Sequence, residues 1–166
     1  MKTTTRLIIA VTTTALATLA LAGCSSTASS ASGTGSPPTP AASSAPAELS
    51  TSSGTLGEII VDGTGMTAYK FDKDTQNAPS SVCSGPCATL CPAITTTALT
   101  PVVKGVTGAI GTITGVDGGK QITINGWPIY TFAKDLKAGD TAGQGVRGVW
   151  WVLSPAGVKI DTPAAK

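Results

Sequence analysis

Three closely spaced thiols are the most chemically distinctive side chains of this sequence. Cys83, Cys87 and Cys91 follow one another at intervals of four residues. Two of them can form a disulfide, the default in an exported chain, and a third thiol is then left over. Alternatively, all three can act as thiolates that hold a soft ion such as Cu(I). The residue types alone leave both interpretations open.

The sequence contains no histidine, and this absence excludes several kinds of chemistry. A Ser-His-Asp triad, a Cys-His pair and a histidine-liganded zinc or copper site all need an imidazole. Haem attachment through a Cys-x-x-Cys-His motif needs one as well. No motif for another catalytic arrangement is present, so we expect a protein that is not an enzyme and carries no cofactor.

A second set of candidate residues belongs to a motif that occurs twice. Both copies read Tyr-x-Phe-x-x-Asp, and their residues are Tyr69, Phe71, Asp74, Tyr130, Phe132 and Asp135. In an extended strand, the tyrosine and the phenylalanine share one face, while the aspartate falls beyond the strand end. There its carboxylate can accept hydrogen bonds from the local backbone. A structural role in the core is favoured over ligand binding, because few other large aromatic residues are available.

Two further patterns imitate ligand-binding motifs. Residues 143–148 match Gly-x-Gly-x-x-Gly, but a polar loop precedes them and a strand follows, so a turning loop with positive φ angles is favoured over a dinucleotide site. Asp72 and Asp74 begin like a calcium loop, yet Cys83 stands where that motif needs a glutamate. A solvated turn is favoured there over a cation site.

The elements that must position these groups are predicted to be short strands. β-branched and aromatic runs between turn residues indicate strands at 56–61, 66–71, 109–116, 119–124, 127–132, 149–153 and 158–160. We therefore expect a mainly β, antiparallel domain at 55–161, followed by a tail at 162–166. Two related motif repeats, at about 57–92 and 109–154, build this domain.

The connections between these strands also carry signals. Asp117-Gly118 and Asn125-Gly126 each predict a two-residue hairpin turn. Prolines at 86 and 92 bracket Cys87 and Cys91 and predict one short helical turn there. Residues 95–107 show no periodicity and are expected to be an irregular connection.

Residues 1–23 have the layout of an export signal. Lys2 and Arg6 precede an apolar segment that ends in two small residues before Cys24. This ending is similar to a bacterial lipobox. The resemblance implies that the signal is cleaved ahead of Cys24 and that the Cys24 thiol carries a diacylglyceryl group. The apolar run is short for a transmembrane span, so we expect a lipid anchor at the extracytoplasmic face of the cell membrane.

Residues 24–54 are rich in Ser, Ala, Thr and Pro and are predicted to form a disordered tether behind the lipidated cysteine. The formal charge of +2 comes entirely from Lys2 and Arg6, so the chain is formally neutral once the signal is removed. A neutral chain without a basic run offers no surface for nucleic acid. Attachment to the membrane must then depend on the lipid.

Taken together, the lipobox, the tether and the two motif copies resemble the bacterial secreted-repeat lipoproteins, a family with a Tyr-x-(Phe/Trp/Tyr)-x-x-Asp motif. Residues 83–88 and the segment from Gly139 to Trp151 also fit that family, and the resemblance covers the whole chain. It implies a location and an architecture but no activity, because the family has none established. Cys91 departs from the family pattern, which has an aromatic residue there.

The family resemblance also favours one pairing of the thiols. Cys83 and Cys87 have the spacing of the family's cysteine pair, and the turn at Gly85 can fold one back onto the other. Cys87 and Cys91 would lie one helical turn apart, with β-carbons about 5–6 Å from each other instead of the roughly 3.8 Å of a disulfide. We predict a Cys83–Cys87 disulfide and a buried, free Cys91.

These features predict a membrane-anchored lipoprotein that binds an envelope or extracellular ligand or contributes to envelope structure, without catalysis. The alternative is a thiol-redox or soft-metal-handling lipoprotein that uses Cys83, Cys87 and Cys91.

Replacement of the lipidated residue tests the anchor. We expect Cys24→Ser to release the protein from the membrane or to block its maturation, since the lipid on Cys24 is the expected source of membrane affinity. Fractionation of cells that express either form measures this. A cleaved mutant protein that still sediments with membranes would show that the lipoprotein assignment is wrong.

Overall fold

The computed structural model describes residues 47–162, which lie within one compact unit of the chain. Cys24, the signal segment and most of the predicted tail fall outside the described residues. The elements in chain order are β1 (Leu49–Gly54), β2 (Gly57–Asp62), β3 (Tyr69–Phe71), α1 (Pro86–Leu90), β4 (Thr95–Thr96), β5 (Ile110–Thr114), β6 (Lys120–Ile124), β7 (Trp127–Tyr130), the 3-10 turn η1 (Val146–Gly148) and β8 (Trp150–Val152). The named strands pair antiparallel. The predicted fold class is confirmed.

In the structure the first repeat extends beyond the predicted 57–92 and runs from β1 to β4, while the second runs from β5 to β8. Each begins with three consecutive strands, β1-β2-β3 in the first and β5-β6-β7 in the second. The turn at Asn125-Gly126 has two residues, as predicted, because both adopt positive φ, 51° and 75°, and Ile124 pairs with Trp127. The predicted two-residue turn at Asp117-Gly118 is wrong. Only Gly118 has positive φ there, so the hairpin closes around a three-residue loop.

The last strand of each repeat completes the sheet of the other repeat. β8 belongs to the second repeat and pairs with β3 of the first, with Lys70 opposite Trp151. β4 belongs to the first repeat and pairs with β6 of the second, with Thr95 opposite Gln121. The strand order β4-β6-β7-β3-β8 therefore alternates between repeats at both ends. Neither repeat closes its own sheet.

The central strands are buried on both faces. One cluster of buried side chains is rich in aromatic residues and cysteines, and contains Ile59, Val61, Tyr69, Phe71, Cys83, Cys91, Tyr130, Phe132, Trp150 and Val152. The other is aliphatic and contains Leu49, Ile60, Ala68, Ile94, Ile122, Ile124, Ile129 and Leu153. Alternation along single strands produces the division, since Tyr130 faces the first cluster and Ile129 the second.

The start of the domain corrects the predicted tether. Residues 49–54 were expected to be disordered, yet they form strand β1, and Leu49 is fully buried. Composition failed here because the Ser and Thr residues of β1 are held by backbone pairing with β2, and one leucine supplies the packing. The segment 95–107 is also not wholly irregular, since Thr95 and Thr96 form β4. The strand predicted at 158–160 is wrong, since that segment forms only an isolated bridge between Lys159 and Leu153. The other predicted strands agree with the structure to within a few residues.

Leu49 provides a direct test of this boundary. We expect Leu49→Ala to lower the free energy of unfolding by about 2–5 kcal/mol, because it removes a fully buried side chain. The same substitution at Leu99, which is 92% exposed, should change it by less than about 0.5 kcal/mol. Urea denaturation of the two variants measures both values. Equal stability of the two variants would show that Leu49 contributes no packing and belongs to the tether.

Candidate functional site

The two motif copies are joined by a reciprocal pair of hydrogen bonds. Tyr69 donates its hydroxyl to Oδ2 of Asp135 over 2.7 Å, and Tyr130 donates to Oδ2 of Asp74 over 2.5 Å. Each tyrosine therefore uses the aspartate of the other repeat. All four side chains are buried. The six predicted motif residues come together in one buried core.

Strand pairing explains how these groups meet. Tyr69 lies directly opposite Tyr130 in the β3–β7 pair, so the two side chains stand next to each other on one face. Beyond each strand the backbone N–H of the motif aspartate donates to the carbonyl of the motif phenylalanine, over 3.1 Å for Asp74 and 3.0 Å for Asp135. This turn brings each carboxylate within reach of the tyrosine on the neighbouring strand.

The second oxygen of each aspartate holds the connection that follows its strand. Oδ1 of Asp74 accepts the backbone N–H of Val82 over 2.8 Å, and Oδ1 of Asp135 accepts that of Ala142 over the same distance. Backbone capping by both aspartates is what the motif position predicts. The exchange with the tyrosine of the other repeat is not visible in the sequence, because it depends on which strands are neighbours.

Each tyrosine hydroxyl also has a second hydrogen-bond partner. The backbone N–H of Gly143 donates to the Tyr69 hydroxyl over 3.2 Å, and the Tyr130 hydroxyl is bonded to the Ser81 hydroxyl. Within residues 47–162, no buried side-chain nitrogen or oxygen is left without a hydrogen-bond partner. The polar groups of the motif are therefore fully used inside the protein.

This environment changes the protonation of the network. Burial, reinforced by the neighbouring carboxylates, raises the pKa of Tyr69 and of Tyr130 well above the ordinary tyrosine value. Burial also raises the pKa of Asp135, against the hydrogen bonds from Tyr69 and Ala142. The tyrosines consequently remain neutral donors across the physiological pH range.

Aromatic packing surrounds the network. The Phe71 ring stacks on Trp150 with 4.3 Å between centroids, and Tyr130 meets the same indole edge-on at 5.2 Å. Phe132 packs against the edge of Tyr69 at 6.2 Å. Pairs of this kind add to the stability that burial supplies. The packing supports the structural interpretation of the motif.

The glycine-rich segment 143–148 is a turning loop, as predicted. Gly145 and Gly148 have φ angles of 71° and 67°, and the segment leads into β8 instead of a long helix. Gly143 is needed for a different reason. A β-carbon at this position would lie 2.7 Å from Cε1 of Tyr69, so only glycine lets the loop reach the tyrosine hydroxyl.

The cysteines pair as the family spacing predicts. Cys83 and Cys87 form a disulfide, with α-carbons 5.2 Å apart, and Cys91 is a buried free thiol. Burial raises the pKa of the Cys91 thiol to about 11, which makes it a poor nucleophile. Since two of the three sulfurs are bonded to each other, the alternative three-thiolate metal site is not formed in this structure.

The segment that imitates a calcium loop has its carboxylates occupied. Asp72 accepts hydrogen bonds from Lys70 over 2.6 Å, from Lys159 over 2.8 Å and from the Trp151 indole over 2.7 Å. Burial opposes the charge of Asp72, but these three donors outweigh it and lower its pKa. Asp74 is bonded within the core. No cluster of three or more metal-ligating side chains occurs among the described residues.

A cavity of about 520 Å³ opens beside this core. The wall is mostly apolar and is supplied by β3, α1, the η1 loop and β8; its residues are Phe71, Lys73, Pro86, Cys87, Leu90, Cys91, Val146, Arg147, Val149 and Trp150. Its volume falls in the range of small-molecule sites. The stacked pair of Phe71 and Trp150 gives it an aromatic surface. Sequence reasoning missed this site, because its residues come from three separate segments of the chain, 71–73, 86–91 and 146–150.

Fold and site together define a mainly β module in which two repeats share one core. A family model described as a secreted repeat of unknown function matches the chain twice, at residues 50–95 and 111–154. The chain belongs to this family, as its motifs suggested, and membership indicates an extracellular location. No curated protein and no solved structure matches the chain. Between residues 47 and 162 there is no helix with the length and apolar character of a membrane span.

The tyrosine network predicts a response to alkaline pH. Tyrosines of an unfolded chain ionise near pH 10, whereas the folded protein holds Tyr69 and Tyr130 neutral to higher pH. The stability contribution is complete below about pH 10 and is lost above it, because the unfolded chain then releases protons that the folded chain retains. We expect the free energy of unfolding to fall by as much as about 1.4 kcal/mol per pH unit for each tyrosine.

Tyrosinate absorbance measures this cleanly, because the chain has only these two tyrosines. The native protein should show no tyrosinate near pH 10, while the same protein in urea, the control, should titrate there. Ionisation of both tyrosines near pH 10 with the fold intact would contradict the buried network.

Proposed function

We propose that this protein is a lipid-anchored extracellular module that binds an apolar small molecule in the cavity between α1, the η1 loop and the Phe71–Trp150 pair. The cavity is the observation that supports this function best. Its wall combines aromatic and aliphatic side chains with a few polar groups, which is the usual composition of a ligand site. The repeat motif supplies the rigid support beneath it.

The arrangement of the core favours binding over catalysis. The hydroxyls of Tyr69 and Tyr130 and the carboxylates of Asp74 and Asp135 are bonded to one another or to the backbone. Groups committed in this way are not free to transfer a proton to a bound molecule. The remaining thiol near the cavity, Cys91, has a raised pKa. A non-enzymatic role is therefore part of the proposal.

The position of the module in the cell follows from its N-terminal segment. The lipobox ending at Cys24 favours a diacylglyceryl anchor on the outer face of the membrane, with residues 25–46 between the anchor and the described domain. The formally neutral chain beyond the signal argues against a nucleic-acid partner. A tethered domain of this kind would capture its ligand at the cell surface.

A neutral apolar dye tests the cavity. The chain from residue 25 onwards keeps the whole compact unit of residues 42–166 and avoids the lipid. N-phenyl-1-naphthylamine, whose emission increases in apolar surroundings, should bind it at one saturable site. Leu90→Trp places a bulky side chain in the cavity wall and should weaken binding by about ten-fold or more.

The matched control is Leu136→Trp, since Leu136 is 88% exposed and does not line the cavity. It should leave the dye affinity unchanged, and thermal melts should show that both variants are folded. No saturable binding by the wild-type chain, or equal binding by Leu90→Trp and Leu136→Trp, would overturn the proposed function.

A further inference from the structure

We propose that the ligand of this cavity is an amphiphilic anion, with an apolar body that lies against the Phe71–Trp150 pair and an acidic group that is held by Lys73 and Arg147. This inference rests on the proposed function and adds the chemical class of the ligand. It comes from the charge of the cavity wall, which the apolar lining by itself does not explain.

The charged side chains of the wall have one sign. Lys73 and Arg147 line the cavity, and no aspartate or glutamate does. Lys73 comes from the segment after β3, whereas Arg147 comes from the η1 loop of the other repeat. The fold thus brings two cations from distant parts of the chain to one apolar cavity. A negative group on the ligand complements this arrangement, and an uncharged ligand gains nothing from it.

Both cations are uncommitted within the described part of the chain. Neither Lys73 nor Arg147 forms a salt bridge or a side-chain hydrogen bond with another described residue. The salt bridges there join Lys70 and Lys159 to Asp72. Both carboxylates that flank Lys73 in the sequence are therefore engaged elsewhere, since Asp72 is paired with two other lysines and Asp74 is bonded to Tyr130.

The backbone at Arg147 provides a second, independent observation. Arg147 has a φ of 52°, in the left-handed region that residues with a β-carbon avoid. The other two residues of this loop with positive φ, at positions 145 and 148, are glycines. A third glycine would fit position 147 without strain, yet the sequence has an arginine there. A strained residue that lines a cavity points to a function for its side chain.

The repeat supplies a matched control for Lys73. Lys134 precedes Asp135 just as Lys73 precedes Asp74, so the two lysines occupy the same position of the motif. Lys134 is exposed but does not line the cavity. If the motif needed its lysine only for solubility or folding, Lys73 and Lys134 would respond alike to substitution.

Two dyes that differ by one acidic group test the inference on the chain from residue 25 onwards. N-phenyl-1-naphthylamine is neutral, and 8-anilinonaphthalene-1-sulfonate has the same rings with a sulfonate added. The wild-type protein should bind the sulfonate more tightly, and added salt should weaken that binding. Lys73→Gln and Arg147→Asn should each weaken sulfonate binding by about ten-fold, the loss of one charge-assisted contact. Asparagine is chosen because it tolerates positive φ.

The neutral dye and Lys134→Gln complete the design. Lys134→Gln should bind both dyes like the wild type. In Lys73→Gln and Arg147→Asn, the affinity for the sulfonate should fall by a larger factor than the affinity for the neutral dye. Near-ultraviolet circular dichroism excludes a loosened fold, which would bind the sulfonate nonspecifically. If Arg147→Asn fails to fold, Lys73→Gln alone decides the result.

The outcomes separate the two proposals. Neutral-dye binding without preference for the sulfonate, or sulfonate binding that survives loss of Lys73 and Arg147, overturns the anionic ligand and leaves the cavity as a site. Absence of binding by either dye overturns the proposed function, and the ligand class with it.

Discussion

The exchange of hydrogen bonds between two buried Tyr–Asp pairs is the constraint on which the rest of this structure depends. Tyr69 reaches Asp135, and Tyr130 reaches Asp74, across the central β3–β7 pair. Buried polar groups are tolerated only when their hydrogen bonds are made. Each repeat lacks the partner for its own tyrosine and its own aspartate. Each repeat therefore needs the other repeat in order to fold, and neither is an independent folding unit.

The strand exchange follows the same logic at the level of the backbone. β8 of the second repeat borders β3, and β4 of the first repeat borders β6. These contacts join residues far apart in the chain, so closing the sheet depends on both repeats being present. The glycine at position 143 belongs to this scheme, because it lets a loop of the second repeat approach the Tyr69 ring of the first.

The division between structure and function within the molecule also becomes clear from the network. The tyrosines and aspartates of the repeat motif are hydrogen-bonded to each other inside the core, and the disulfide fixes the short helix beside it. The cavity between α1 and the η1 loop is open beside this core, and among the described residues Lys73 and Arg147 at its wall have no salt-bridge partner. In this arrangement the strands supply the stacked Phe71–Trp150 pair, and the connections between strands supply Lys73 and Arg147, the groups that we propose meet a ligand.

The sequence alone determined the class and the composition of the core. Alternating Tyr-x-Phe patterns and the turn at Asn125-Gly126 are local signals, and local geometry is enough to interpret them. The Cys83–Cys87 pairing was favoured by the family resemblance together with the turn at Gly85. The predicted end of the tether at residue 54 was wrong, because β1 begins at Leu49 and a polar strand held by backbone pairing leaves no signal in composition. Only the tertiary structure decided which tyrosine meets which aspartate, and that Lys73 and Arg147 share a cavity. Those facts depend on which strands are neighbours, and neighbour choice is a property of the whole sheet and not of any segment.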